Sequence, residues 1–213
     1  MGAATLVFHL FPGFDIWVSS RFYSPESGFY LRESAFVLWV YASVEVLALI
    51  LIVGLPGLLV VLIVRKKPIF SITKKQITYL ICVLALGPGL MVNVVFKNHW
   101  GRARPDQIDT FGGSKRFTLP LAISGECERN CAFVSGHASV GFYGAAAALL
   151  MGTGQIYGIA TSVIFGMVIG VVRIIQGGHF LSDVIFSFFL VYAIARVAYH
   201  WMFERIGGKD RRV

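Results

Sequence analysis

The sequence predicts an all-α membrane protein in which six transmembrane helices form one bundle. Of its 213 residues, 56% are hydrophobic and only 14% are charged, whereas soluble domains carry about 25% charged residues. The mean hydropathy is +0.73, and six spans of about 20 residues would use about 120 residues. This composition excludes a disordered chain, a soluble α/β enzyme and a disulfide-stapled miniprotein. We therefore expect a single transmembrane domain over residues 1–213.

The first half of the chain contains three apolar stretches of spanning length. We predict spans at residues 2–19, 46–64 and 77–96. Pro12-Gly13 interrupts the first of them, which predicts a kink, and Gly87-Pro88-Gly89 predicts another in the third. Residues 20–34 carry turn residues and aromatic residues, which is typical of a loop at the membrane surface. Tyr41, just before the second apolar stretch, is interpreted as an interfacial residue.

The second half of the chain contains the only long polar segment, residues 97–134, followed by three more apolar stretches. We predict spans at residues 136–152, 157–175 and 179–202. The span at 136–152 is rich in Gly and Ala, which favours close helix packing. Gln176-Gly177-Gly178 predicts a tight turn between the last two spans.

The basic residues divide evenly between the two sides of the predicted bundle. The net charge is +8, and in a membrane protein such charge is normally topological, so we expect no nucleic-acid partner. With the N-terminus in the cytoplasm, nine basic residues of the 65–75 loop and the tail lie inside and nine lie outside, and the nineteenth, Arg196, falls in the inner half of the sixth span. Six of the outer nine fall in residues 97–134. This outer cluster indicates an anion-binding site facing the periplasm.

Two of the three cysteines lie in that outer segment. Cys127 and Cys131 are four residues apart, which allows disulfide distances on a turn. An oxidising periplasm favours the bond, so we predict a Cys127–Cys131 disulfide. A single Cys-x-x-x-Cys pair lacks the spacing of a zinc site.

Arg173, His179 and Asp183 form the first of three polar clusters where the outer side meets a span. His179 and Asp183 are four residues apart at a helix start and therefore share a face. A carboxylate there would hold one imidazole nitrogen and leave the other as a nucleophile or base. The Gly-Gly turn would fold the Arg173 guanidinium back toward His179. Ionisable residues at one bend of a membrane protein are costly, which indicates a function.

Ser135, Gly136 and His137 form the second cluster, at the start of the fourth span. Free amide groups at a helix N-terminus bind anions, and Gly136 allows close backbone approach. Taken alone, a His at a helix start is more often a simple polar cap than a functional residue.

Lys97, Arg102 and Arg104 form the third cluster, at the start of the polar segment. Arg matches phosphate oxygens with two hydrogen bonds and Lys supplies a point charge. Taken together, the clusters bring cations, a helix N-terminus and two histidines to one aqueous face, which predicts a phosphate site with an acid and a nucleophile.

The spacing of these residues resembles a known family. Lys97-x6-Arg104-Pro105, Ser135-Gly136-His137 and Arg173-x5-His179-x3-Asp183 are similar, in order and spacing, to the three signature motifs of the type 2 phosphatidic acid phosphatase (PAP2) superfamily. Val134 departs from the Pro that the family commonly has. Residues 87–190 further resemble bacterial lipid A phosphatases.

The resemblance implies a role for each matching residue. His179 would attack phosphorus and form a phosphohistidine, Asp183 would orient it, and His137 would protonate the leaving oxygen and later activate water. The implied phosphate contacts are Lys97, Arg104, Arg173, Ser135 and Gly136. Arg102 and His99 are candidate substrate contacts. No metal and no cofactor are expected.

The preferred interpretation is a phosphatase of the bacterial inner membrane that removes the 4′- or 1-phosphate of lipid A. Phosphatidylglycerophosphate, phosphatidate, undecaprenyl diphosphate and a lipid-to-lipid phosphotransferase remain alternatives, and the sequence leaves the oligomeric state open. From other classes, an anion channel or transporter would need charges along a pore, which the spans nearly lack. A metallohydrolase would use His99, His137 and His179.

Overall fold

A computed structural model describes residues 1–205, and these residues are mostly helical. Four helices are long and apolar enough to cross a membrane: Ala35–Arg65, Lys74–His99, Gly152–Ile175 and Leu181–Arg205. They correspond to the predicted second, third, fifth and sixth spans. The basic tail residues Lys209, Arg211 and Arg212, which entered the charge count, lie outside the described residues.

The predicted first span is two short helices. These are α1 (Gly2–Leu10) and α2 (Phe14–Ser20), separated at the Pro12-Gly13 site. Pro12 has no amide proton to continue a helix, so the expected kink is a full break. The following loop holds a two-stranded antiparallel hairpin, β1 (Tyr23–Ser24) and β2 (Gly28–Phe29).

The next two long helices pack against each other along the bundle. Helix α3 covers Ala35–Arg65, and its many exposed apolar side chains suit contact with lipid. Helix α4 covers Lys74–Leu84 and starts with a capping box at Thr73. It continues as π-helix over Ala85–Phe96 and ends in the short α5 (Lys97–His99). The predicted kink around Pro88 is thus a widening of the helix.

The C-terminal half packs the remaining helices closely. They are α6 (Gly136–Phe142), α7 (Gly144–Ala148), a 3-10 turn at Gly152–Gly154, α8 (Gln155–Ile175) and α9 (Leu181–Tyr199), which ends in a π-helical His200–Arg205. The predicted fourth span therefore consists of two short helices. A Cβ added at Gly141 would lie 2.7 Å from the Gly166 Cα. Helices α6 and α8 therefore come into close contact at these two glycines, as the Gly- and Ala-rich composition of the predicted fourth span indicates.

The polar segment between α5 and α6 folds over one end of the bundle. It contains 3-10 turns at Pro105–Gln107 and Asp109–Phe111, and its apolar side chains pack with the β2 residue Phe29 and with Phe180. The predicted Cys127–Cys131 disulfide is confirmed, with a Cα–Cα distance of 5.6 Å.

Candidate active site

His179 lies in the turn between α8 and α9 and is 1% exposed. Its Nδ1 is 2.7 Å from the carbonyl oxygen of Ala132. A carbonyl only accepts hydrogen bonds, so Nδ1 carries the proton and Nε2 keeps its lone pair. The turn depends on Gly177, which has φ +69°, and a Cβ there would lie 2.5 Å from the ring of Phe29.

The His179 imidazole faces a strongly positive environment. Burial first, then the charges of Arg173, Lys97 and Arg104, hold the pKa of His179 well below its ordinary value. The neutral imidazole, which is the nucleophilic form, is therefore favoured. The three motif cations are thus gathered around this histidine.

Asp183 does not hold the His179 ring by a hydrogen bond, contrary to the expectation from their spacing. Its Oδ2 is 3.8 Å from His179 Nδ1, which is too long for a hydrogen bond. The carboxylate instead accepts from the Phe180 amide at 2.8 Å and from Arg102 Nη1. The Ala132 carbonyl takes the position on the ring that the sequence assigned to Asp183.

His137 lies in the first turn of α6, as predicted, and packs on Tyr41 with the ring centres 4.3 Å apart. Its Nε2 is buried and has no hydrogen-bond partner among residues 1–205. Ser135 is the N-cap of α6, and its amide donates to the Asp183 carbonyl at 3.2 Å. This bond ties the start of α6 to the start of α9.

Lys97 and Arg104 are held together by one residue, Asn130. Lys97 Nζ donates to the Asn130 side-chain oxygen at 3.1 Å. Arg104 donates to the Asn130 backbone carbonyl from Nη2 at 2.8 Å and from Nε at 3.2 Å. A Cβ added at Gly136 would lie 3.2 Å from Lys97 Nζ, so the ammonium group lies against the α6 N-terminus.

Arg173 folds back over the glycine turn, as the sequence predicts. A Cβ at Gly178 would lie 2.4 Å from Arg173 Nη2. The guanidinium donates to Gln176 and lies 4.9 Å from the Tyr41 ring centre, while its buried Nε has no partner among the described residues. Tyr41 therefore contacts both Arg173 and His137, which its interpretation as an interfacial residue missed.

The site therefore contains groups that can bind a phosphate and groups that can react with it. Two buried nitrogens, on His137 and Arg173, have no partner within residues 1–205, and they accompany the lone pair of His179 Nε2. The sequence pattern of the PAP2 superfamily matches residues 77–207, a range that contains all three clusters.

The chain belongs to the PAP2 superfamily. As a PAP2 phosphatase it is a phosphomonoester hydrolase.

Three relatives of this chain have the same name, lipid A 4′-phosphatase. The chain is 36% identical over 209 residues to a lipid A 4′-phosphatase of Francisella tularensis subsp. novicida (strain U112), covering 95% of this chain and 92% of the relative. It is 39% identical over 103 residues to the lipid A 4′-phosphatase of Rhizobium leguminosarum, covering 48% of this chain and 44% of the relative. A Rhizobium etli protein of the same name is 38% identical over 102 residues, with 47% and 40% covered. No solved structure matches this PAP2 chain.

The two candidate substrate contacts differ from the PAP2 motif residues in their placement. Arg102 is fully buried, and its Nε donates to the Thr118 carbonyl at 2.9 Å. This burial does not fit a contact with substrate. His99 is exposed, and its Nδ1 is 3.0 Å from the Val95 carbonyl of its own helix.

Asp15 on α2 is a site residue that sequence reasoning missed, and it lies outside the PAP2-matched residues. It is 1% exposed, and its Oδ2 is 2.8 Å from Arg102 Nη2. The available signal was a lone carboxylate inside an otherwise apolar stretch, since such residues are costly in a membrane and mark functional sites.

A metal centre was the other chemistry open to this PAP2 chain. Within residues 1–205, no group of three or more His, Cys, Asp and Glu side chains is placed to hold a metal ion. The positive charges around His179 are those of Arg173, Lys97 and Arg104.

Proposed function

We propose that this protein is a lipid phosphatase that removes the 4′-phosphate of lipid A through a phosphohistidine on His179. The observation that carries the proposal is the free Nε2 of His179 within a group of three cations. Fixed cations stabilise the charge of phosphoryl transfer without having to reorganise during the reaction.

In the first half-reaction, the lone pair on His179 Nε2 attacks phosphorus as the bond from phosphorus to the lipid oxygen breaks. The negative charge of the bound phosphate offsets the surrounding cations and favours the protonated form of His137, which gives its proton to that leaving oxygen. Lys97, Arg104 and Arg173 bind the phosphate oxygens, together with the free amides at the start of α6. The products are the dephosphorylated lipid and a phosphoryl group on His179.

In the second half-reaction, neutral His137 takes a proton from a water molecule, and the water oxygen attacks phosphorus. The phosphorus–nitrogen bond breaks, its electron pair returns to His179 Nε2, and inorganic phosphate leaves. His137 ends protonated, ready for the next turnover.

Lipid A is the proposed substrate because a lipid A 4′-phosphatase is 36% identical to almost the whole chain. The alternatives are the lipid A 1-phosphate, a glycerophospholipid phosphate, undecaprenyl diphosphate, or transfer to a lipid acceptor.

The decisive experiment is mass spectrometry of lipid A from cells expressing the wild type, His179→Ala or His200→Ala, since His200 pairs with Glu204 at the end of the last helix that is remote from His179. We expect loss of the 4′-phosphate with the wild type and with the His200→Ala control, and full retention with His179→Ala. Loss of the 1-phosphate would change the proposed position, and phosphate appearing on an added lipid acceptor would indicate a transferase. Full activity of a folded His179→Ala protein would overturn the mechanism.

We also propose that the bundle has six membrane segments, with α1–α2 and α6–α7 completing the four long helices, in the bacterial inner membrane. The loop between α3 and α4 would face the cytoplasm, supported by its basic residues Arg65, Lys66 and Lys67, and the active site would face the periplasm. In spheroplasts, a membrane-impermeant thiol reagent should label Ser114→Cys but not Lys67→Cys. The reverse pattern would overturn this orientation.

A further inference from the structure

A buried polar network joins the N-terminal helix α2 to the start of α9. Asp15 accepts from the Ser182 amide at 2.9 Å through Oδ1, and from Arg102 Nη2 at 2.8 Å through Oδ2. Arg102 Nη1 donates to Ser182 Oγ at 2.8 Å and to Asp183. These four side chains are at most 1% exposed, so the network is isolated from bulk water.

Arg102 lies at the centre of the network and joins the two carboxylates, Asp15 and Asp183. Its Nη1 and Nη2 bind different carboxylates, its Nε binds a backbone carbonyl, and its plane lies 4.4 Å from the Phe180 ring centre. Lys could not reproduce this, because an ammonium group lacks the planar fork of donors. The sequence placed Arg102 at the substrate, but its contacts are all internal.

The charges of the network do not balance. Asp15 and Asp183 each bind only hydrogen-bond donors, which is the pattern of ionised carboxylates. Two carboxylates share one guanidinium, so the network taken by itself carries a net negative charge, although the wider surroundings of His179 are positive. This negative charge is local to one side of the ring, where Asp183 Oδ2 lies 3.8 Å from His179 Nδ1. With Arg102 alone, Asp183 would be neutralised, and Asp15 supplies the second charge.

This excess charge lies on the Nδ1 side of the His179 ring, away from the free Nε2. When Nε2 attacks phosphorus, the ring becomes cationic, and a nearby anion stabilises that state more than the neutral ring. Asp15 also accepts from the second amide of α9, where a carboxylate is favoured by the helix dipole. The start of α9, two residues after His179, is fixed in this way.

We propose that Asp15 and Arg102 are positioning residues for the His179 reaction, so that α2, outside the PAP2-matched residues, completes the active site. This inference rests on the proposed phosphohistidine mechanism. Asp15 and Arg102 act through Asp183: Arg102 holds its carboxylate beside His179, and Asp15 keeps the pair negatively charged.

The test compares Asp15→Asn with Glu204→Gln as a matched control, since Glu204 pairs with Arg196 away from the site. For Asp15→Asn we expect kcat on a micellar lipid phosphate to fall about tenfold to a hundredfold, as for the loss of a hydrogen-bonded charge. KM should stay within about twofold, because a fully buried residue does not touch substrate. Glu204→Gln should match the wild type.

A second readout separates positioning from a general loss of structure. Isothermal titration with orthovanadate, a phosphate mimic, should give one site per chain in Asp15→Asn. In an Asp183→Asn background, Asp15→Asn should lower kcat by less than about threefold, because residues that act through one another are not additive. Asp15→Glu, which keeps the charge, should recover part of kcat. If Asp15→Asn does not fold, kcat and KM are measured on Asp15→Glu instead.

Several outcomes would overturn the inference. Two of them concern Asp15→Asn alone: an unchanged kcat, with or without a raised KM, or a reduced number of vanadate sites that accounts for the whole fall in kcat. The third is a fall in kcat that is as large in the Asp183→Asn background as in the wild-type background. If His179→Ala is inactive while Asp15→Asn keeps its kcat, only the positioning role fails. If His179→Ala stays active, the mechanism itself fails.

Discussion

Gly136→Ala tests the contact between Lys97 and the start of α6. The added Cβ would lie 3.0 Å from Asn93 Oδ1 and 3.2 Å from both Cε and Nζ of Lys97. Unstrained carbon contacts lie at about 3.5–4.0 Å, so the ammonium group must withdraw by roughly 0.3–0.8 Å. A misplacement of about 1 Å at a reacting centre costs about 100-fold in rate. We therefore expect kcat/KM to fall about fourfold to fortyfold.

Phosphate release from a lipid phosphate in detergent micelles measures this effect, with thermal unfolding as the check on folding. Ala favours helix over Gly by about 1 kcal/mol, so the unfolding midpoint should not drop. Gly54→Ala is the matched control, because an added Cβ in α3 has no atom within 4 Å. An unchanged kcat/KM in Gly136→Ala, or an equal loss in both variants, would refute the assignment of Lys97 to the phosphate.

Three further predictions concern the loop, the nucleophile and metal dependence. Replacing Cys127 and Cys131 by Ser should destabilise the protein by about 2 kcal/mol, as expected for a short closed loop. It should also lower activity by loosening Asn130, as measured by unfolding and phosphate release; unchanged values in both would contradict this. Burial and nearby cations hold the pKa of His179 low, so the imidazole should stay neutral through the ordinary histidine pKa of about 6.5. Its Cε1–H resonance in the unliganded protein should therefore not shift between pH 8 and about pH 6. A midpoint at or above the ordinary pKa would count against the buried site. Excess EDTA should leave the rate within about twofold, since Lys and Arg supply the charge, whereas loss of activity restored by zinc would favour a metallohydrolase.

The active-site motifs were predictable because their geometry is local. Arg173 and His179 are joined by a glycine turn, and Ser135-Gly136-His137 starts a helix, so spacing alone placed them. The role of Asp183 was not predictable from its i,i+4 relation to His179. Its Oδ1 accepts from Arg102, 81 residues away in sequence, and its Oδ2, the oxygen nearer to His179, accepts from the Phe180 amide.

The N-terminal contribution was harder to anticipate for the same reason. Asp15 meets Arg102 across 87 residues, and no periodicity in the sequence records such a contact. The break between α1 and α2 follows from Pro12, but its severity depends on packing. The residue type and position of Tyr41 are typical of the membrane interface, and only the fold brings it against Arg173 and His137.

The hydrogen bonds of Asn130 with Lys97 and Arg104 have a consequence for how the enzyme matures. Asn130 adopts a left-handed backbone conformation with φ 54°, directly before Cys131, and the disulfide closes the turn that presents it to Lys97 and Arg104. Disulfides form where the surroundings are oxidising. With this loop on the periplasmic side, as proposed above, assembly of the two cations would follow its export. A newly made or wrongly inserted chain, with both thiols reduced, would then remain a poor catalyst until the loop reached the periplasm.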